Sequence, residues 1–303
     1  MFKVEETILE NVFKIFNKDK ENAEDDIQTI QKWVSEQPHF LQPLERRSVA
    51  NFLILNKFSI EKTKQKIDNY YTIRTKLEEV YKEMNPKFSS YVKEVNQIAY
   101  CTLHPQLLDY NRVLFFRIRN PNLVEKLNPY AVLRYIAAYQ EMRIREDVMH
   151  GDILVYDCKH IPASFFLKLT PTFMYKSLMM IYQQIYSFRM KALYVINLPS
   201  FGETVITILK MVSKPKIFER MHFSSEDTII KEKFPEDFLP VDFGGKGMSL
   251  EKLQEIMVSE YEQHASFFEH LEKFKVDESR RPAKLENDEM LGFYGNFKKL
   301  NVD

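Results

Sequence analysis

Four short apolar runs separated by helix-length segments limit this chain to a narrow set of folds. Val113 to Ile118 (VLFFRI), Ile153 to Tyr156 (ILVY), Leu193 to Ile196 (LYVI) and Met221 to Phe223 have the length and apolar content of strands. Tyr130 to Val148 and Thr172 to Phe188 lie between them with helical spacing, and Phe201 to Ser213 follows the third run. Parallel strands need a long crossover, usually a helix, so the alternation predicts βαβ units and a largely parallel sheet covered by helices. The fold class is α/β, preceded by an all-helical segment.

Residues 1 to about 95 read as nearly all helix. Asp25 and Asp26 are placed to cap a helix carrying Ile27, Ile30, Trp33 and Val34 that ends near Pro38. Pro43 suits the first turn of the next, and Ser59 opens a long helix that keeps apolar spacing until Asn85 and Pro86. Its other face, with Lys62, Lys64, Lys66, Arg74 and Lys76, reads as solvated. The domain pattern is therefore 1–95 helical, 96–247 α/β, and 248–303 a C-terminal helix and tail. FPEDFLPVDFGGKG closes the middle part, Ser249 caps a helix running to about Phe274, and the polar tail offers Phe293, Tyr294 and Phe297 for docking.

Charge and motif content narrow the function. Lys+Arg and Asp+Glu are equal at 43 each, so no global charge points to nucleic acid. The N-terminus MFKVEETILENVFKIF lacks the basic region of a signal peptide, and no apolar run approaches the roughly 18 residues of a membrane span. A soluble cytoplasmic protein is expected. Cys101 and Cys158 are the two cysteines and none of the seven histidines is spaced to make a metal site with them, so buried thiols and no metal are expected. There is no G-x-S-x-G, H-E-x-x-H or Walker loop; GGKGMS lacks the required spacing, and with seven glycines no dinucleotide fingerprint follows the first strands. Asp157 and His160 could suggest acid/base work, but no Ser or Cys can be placed beside them from sequence, and they read instead as a strand end turning through Cys158 to Pro162. No catalytic residue and no cofactor are assigned.

Bulky apolar side chains are abundant instead. Phe166, Leu167, Leu169, Phe173 and Leu178 are followed by Ile181, Tyr182, Ile185 and Phe188, while Tyr135 and Tyr139 add to them from the preceding helix and Leu193 from the strand. Simple core is one reading. The other is that this surface lines a cavity, with the helix from Phe201 as its door. In that helix Phe201, Val205, Ile208, Leu209 and Val212 form one stripe, while Ile206 and Met211 lie off it, more apolar surface than a half-solvated helix needs. Basic residues bracket it, with Arg189 and Lys191 before the strand and Lys216 and Arg220 one helical turn apart after it.

The segments FLILNKFSIEKTKQKIDNYYTIR (Phe52 to Arg74), GDILVYD (Gly151 to Asp157), LTP (Leu169 to Pro171), INLPSF (Ile196 to Phe201) and FLPVDFGG (Phe238 to Gly245) resemble, in order and spacing, those of the CRAL-TRIO (Sec14-like) lipid-transfer family. The closing GFYGNFKKLNVD (Gly292 to Asp303) is similar to the tail of the insect α-tocopherol transfer protein-like branch. The resemblance implies a lipid-binding domain whose sheet floors an apolar pocket closed by a mobile gate helix, here Phe201 to about Ser213. It implies a monomeric carrier of one hydrophobic small molecule, tocopherol-, retinoid- or other terpenoid-like, transiently bound to anionic membrane. A basic cleft for phosphoinositide head groups would correspond to Arg189, Lys191, Lys216 and Arg220. Where relatives carry arginines near the FLRARKF-type segment, this chain has Asn51, Ile54 and Asn56 and keeps only Lys57, which leaves a general attraction to anionic membrane. A phospholipid or phosphoinositide exchange protein of the same fold, or a scaffold that binds no lipid, would share these features.

Overall fold

The computed structural model describes residues 1–87, 89–169, 181–182 and 184–282, with Val205, Ile208 and Val212 described through their backbone alone. The helical preface comprises α1 (Glu6–Ile15), α2 (Lys20–Ser35), α3 (Arg46–Leu55), α4 (Ile60–Lys76), α5 (Glu78–Tyr81) and α6 (Ser90–Ile98). Its boundaries differ from the spacing argument at three points. Asp19, not Asp25 or Asp26, caps α2 by accepting from the Asn22 amide at 2.7 Å, which starts the helix earlier. Pro43 lies ahead of α3 rather than in its first turn. The long helix expected from Ser59 breaks at Leu77 (φ −95°, ψ 58°), and the break lets Leu77, Val80, Tyr81 and Met84 all reach the core.

The α/β part follows as β1 (Ala99–Leu103), β2 (Asn111–Ile118), α7 (Pro129–Glu146), β3 (Gly151–Asp157), α8 (Ala163–Leu167), β4 (Met190–Ile196), α9 (Glu203–Val212), α10 (Pro215–Phe218) and β5 (Met221–Phe223). Among the described residues these strands make a five-stranded sheet in the order β1-β2-β3-β4-β5. All neighbours are parallel except β1 and β2, so the sheet is mostly parallel as the alternation predicts. β1, which the apolar runs did not mark, is an antiparallel edge joined to β2 by a short connection. α11 (Thr228–Lys233), α12 (Leu250–Gln263) and α13 (Ala265–Leu271) complete the described chain. Ser249 caps α12 as expected, and the helix is interrupted at His264.

The period of two along each strand sorts the sheet into two faces. Val113, Phe115, Val155, Ala192, Tyr194 and Ile196 point to a layer made by the closing segment, chiefly Phe234, Phe238, Leu239 and Phe243. That segment turns at Gly244 (φ 82°), and a side chain at Gly245 would collide with the Leu239 carbonyl, which explains the paired glycines. The opposite, inner face carries Leu114, Phe116, Leu154, Tyr156, Leu193 and Val195 and belongs to the same apolar cluster as the helical preface.

That cluster is crossed by buried polar ties. Arg74, expected on a solvated face, is buried with its Nε 3.2 Å from a Glu141 carboxylate oxygen, and Tyr70 and Tyr186 donate to the same carboxylate at 2.7 and 2.5 Å. Helical spacing placed Arg74 outside because it sees one helix, whereas α7 covers that face. Beside this network lies a cavity of about 130 Å³ lined by Gln42, Tyr70, Glu141, His270 and Phe274, in the seam between α3, α7 and the C-terminal helices. The tail aromatics Phe293, Tyr294 and Phe297 lie outside the described residues.

Candidate functional site

The inner sheet face, α8, residues 181–188 and α9 bring together many of the apolar residues singled out in the sequence. Ile181 and Ile185 are fully buried, Leu193 is buried on β4, and Leu209 of α9 packs into the main cluster. Phe166 and Phe201 meet edge to face at 5.5 Å, joining α8 to the short turn that leads into α9. Tyr182 and Phe188 meet in the same way at 4.8 Å, and both are half-buried, as is Leu169. Phe173 and Leu178 lie outside the described residues, as do the side chains of Val205, Ile208 and Val212.

The tyrosines of α7 behave differently. Tyr135 accepts from Gln254 at 2.9 Å and packs against Tyr261, so its hydroxyl is committed to the C-terminal helix. Tyr139 is buried beside it and its hydroxyl reaches the Cys101 thiol, which burial pushes up to about 12. Tyr156, which the sequence marked only as a strand residue, stands on the inner face of the middle strand with its ring 5.4 Å from Phe116. Alternation along ILVY carries the signal that would have found it.

The apolar surplus of this region faces outward. Met211 of α9 is 80% exposed, Leu167 of α8 81% and Phe201, in the turn before α9, 40%. Ile206 is half-buried.

Cations collect at the start of β4 and the end of α10. Arg189 holds its guanidinium 5.3 Å from the Phe16 ring, and its Nη1 is buried without a partner. Lys191 lays its aliphatic stem over Gly151, where an added Cβ would fall 2.8 Å from its Cε. Arg220 lies beyond the end of α10, not one turn along it from Lys216, and donates to the Met190 carbonyl at 2.6 Å. Lys216 is exposed. Burial lowers Arg189 and the neighbouring Arg220 lowers it further; burial, then Arg189 and Arg220, lower Lys191. Such depression marks like charges held close together.

Two further groups join them that the sequence did not indicate. Lys66 of α4 donates to Gln184 at 3.1 Å and is brought down to about 8 by burial and by Lys214. His150 is brought down to about 4 by burial, Lys191 and Arg189. The positions that carry arginine in the resembling segment are structural here: Ile54 is core and Asn51 is fully buried, while Asn56 bonds the Phe52 carbonyl.

The remaining polar candidates are engaged in structure. Asp157 receives Asn197 and the Lys159 amide at 2.8 Å each and pairs with Arg117 at 3.2 Å, while His160 is exposed on a turn with φ 68°. Glu146, Glu260 and His264 come together across α7 and α12, a grouping not visible in sequence. His264 Nε2 faces Glu146 at 3.0 Å and Glu260 faces the Met1 ammonium at 2.7 Å, so the acids already have cationic partners.

Comparison with known proteins gives matches in the same order along the chain. Residues 19–90 match the Pinta-like UBA domain and residues 96–245 the CRAL/TRIO domain. The alpha-tocopherol transfer protein-like proteins of Homo sapiens and Pongo abelii are each 25% identical over 231 residues, and that of Mus musculus is 24% identical over the same length. These matches cover 75% of this chain and 66% of the relatives, just under two thirds of their length. The crystal structure of Sfh5 superposes with a TM-score of 0.52 at 14% identity, covering 84% of this chain and 99% of that one, a likeness of fold.

Proposed function

The chain belongs to the CRAL-TRIO family of Sec14-like lipid-transfer proteins, and from that premise we propose that it carries one hydrophobic small molecule, tocopherol-, retinoid- or other terpenoid-like, in a pocket over the inner sheet face. It acts as a monomeric carrier, not an enzyme, and works between cytosol and membrane, with α9 moving to admit and release the ligand. Two observations carry this reading, the outward placement of Met211, Leu167 and Phe201 and the gathering of Arg189, Lys191 and Arg220 at the starts of β4 and β5.

The energetics explain why both features are needed. A ligand with about 500 Å² of apolar surface gains roughly 12 kcal/mol by leaving water, at about 25 cal/mol per Å². A carrier must match the membrane interior and then give the ligand back, and a detachable apolar helix provides the return path. Docking must be reversible too. Each Lys or Arg near an anionic leaflet contributes about 1 kcal/mol, so Arg189, Lys191, Lys216 and Arg220 supply about 4 kcal/mol, enough to orient the protein without stranding it. General attraction to anionic lipid, phosphoinositides included, is the expected mode, with Lys66 taking the place of the absent N-terminal arginines.

The test is transfer of a fluorescent α-tocopherol analogue from phosphatidylcholine vesicles to acceptors with and without phosphatidylserine. Phosphatidylserine should accelerate transfer, and Lys191→Ala with Lys216→Ala should abolish that acceleration. Indifference to lipid charge would remove docking from the proposal, and failure to transfer would remove the carrier.

A further inference from the structure

The cavity in the seam between α3, α7 and the C-terminal helices has no part in lipid carriage. None of its lining residues comes from the sheet, α8 or α9. It holds about 130 Å³, close to the roughly 150 Å³ of an engineered apolar cavity that takes up one benzene ring. Its walls are drawn from distant parts of the chain: Leu44 before α3, Ser48 in the first turn of α3, Ile144 on α7, Phe267 on α13 and Phe274 just beyond. A single ring fits between them.

Two of the wall rings are held in place by other groups. Phe274 stacks on Tyr71 with centroids 6.0 Å apart and planes 8° from parallel, and Phe267 lies 4.7 Å under the Arg145 guanidinium. Walls fixed in advance spare a guest the cost of ordering them. Ser48 is the polar exception. It is 5% exposed and borders the cavity, yet among the described residues its hydroxyl makes no hydrogen bond. The phenols beside it are committed, Tyr70 to Glu141 and Tyr71 to the Gln42 carbonyl. A serine hydroxyl both donates and accepts, so it serves a guest hydroxyl or N–H equally well.

The charges around the cavity fix the charge of the guest. Glu141 holds Arg74 at 3.2 Å, and Arg145 is paired with Glu45 at 2.5 Å. Each acid and arginine of the lining therefore has its counter-ion, and a carboxylate or ammonium brought inside would be buried with none. The Glu45–Arg145 pair lies toward the surface, where such pairs are weak, so it can part to admit a neutral molecule.

We propose that this seam cavity is a second binding site, for one neutral aromatic ring bearing a hydroxyl or N–H (the phenol or indole class), with Ser48 as its hydrogen-bond partner. The site is independent of the carrier reading.

Binding of 4-fluorophenol to the full chain at pH 7 is followed by fluorine NMR, beside 4-fluorobenzoate as an anion and 4-fluorobenzylamine as a cation. The phenol should bind saturably and both ions at least tenfold more weakly. Ser48→Ala should weaken phenol binding about fivefold, the worth of one ordinary hydrogen bond. Ser48→Leu, which fills the space with hydrocarbon, should abolish it. The Tm of ligand-free Ser48→Ala should not fall, because its hydroxyl has no protein partner to lose. Phenol binding that survives both substitutions puts the ring elsewhere in the protein and overturns the proposal. Absence of saturable binding, equal binding of either ion, or a lower Tm for Ser48→Ala does the same. Should Ser48→Leu fail to fold, the alanine variant decides alone.

Discussion

The side-chain amide of Asn51 donates to the carbonyl of Asp147 at 2.9 Å, and through it α3 holds the turn that enters the middle strand. The same Nδ2 reaches the Ile144 carbonyl, and Oδ1 accepts from the Met149 amide, each at 2.9 Å. Asn51→Ala leaves three buried backbone groups without their partner. We expect a loss of about 2–4 kcal/mol, seen as a lower urea midpoint with an unchanged slope. Asn51→Arg should also destabilise rather than enlarge the basic cleft, because the site is closed to a guanidinium. A loss below about 1 kcal/mol in the alanine variant would mean that water replaces the amide.

Leu167 and Met211 make the opposite prediction. Both are about four-fifths exposed, so Leu167→Asp and Met211→Asp should change stability by no more than about 0.5 kcal/mol. If the two residues enter the membrane, co-sedimentation with vesicles should fall severalfold in each variant and further in the pair. Unaltered co-sedimentation would assign their exposure to ordinary surface.

Lys216 and Arg220 should not respond alike. Lys216→Glu changes an exposed charge and should slow transfer to phosphatidylserine vesicles at low salt, with the difference from wild type vanishing near 1 M salt, where the Debye length is about 3 Å. Arg220→Glu also breaks the bond to Met190 and faces Arg189 and Lys191 with an acid. It should lower transfer and alter the unfolding midpoint together. Equal stability in both variants would contradict the contact to Met190.

Strand-length apolar runs were legible because β2, β3 and β4 are covered on both faces and read as continuous hydrophobic sequence. AYCTL did not announce β1, since an antiparallel edge strand tolerates Tyr100 and Thr102. The stripe and surplus of α9 could be read from Phe201 to Val212, but the direction in which Met211 points is a tertiary fact. Lys66 and His150 approach Lys214 and Lys191 only through folding, so charge spacing along the chain left them out. Tyr156 was visible as a position on a strand face. That its hydroxyl has no hydrogen-bond partner among the described residues depends on neighbours no spacing rule supplies.

The pH dependence of stability should have two limbs set by different histidines. The hydrogen bond to Glu146 raises His264 above its ordinary 6.5, with burial opposing. The folded protein holds this proton more tightly than the unfolded chain, so the contribution is complete below about pH 6.5 and is lost as pH rises through the folded value. His104 and His150 go the other way. Burial brings each down to about 4, with Arg112 adding at His104 and Lys191 and Arg189 at His150. The unfolded chain takes up protons there first, so stability is lost as pH falls from about 6.5 toward about 4. Urea midpoints measured between about pH 4 and pH 8 should therefore fall on both sides of a maximum. His264→Gln should flatten the change between about pH 6 and pH 8 and leave the acid limb intact, while His150→Gln should weaken the acid limb to the part His104 supplies and leave the alkaline limb intact. An alkaline limb that survives His264→Gln would show that the contact with Glu146 does not hold α12 to α7 in solution.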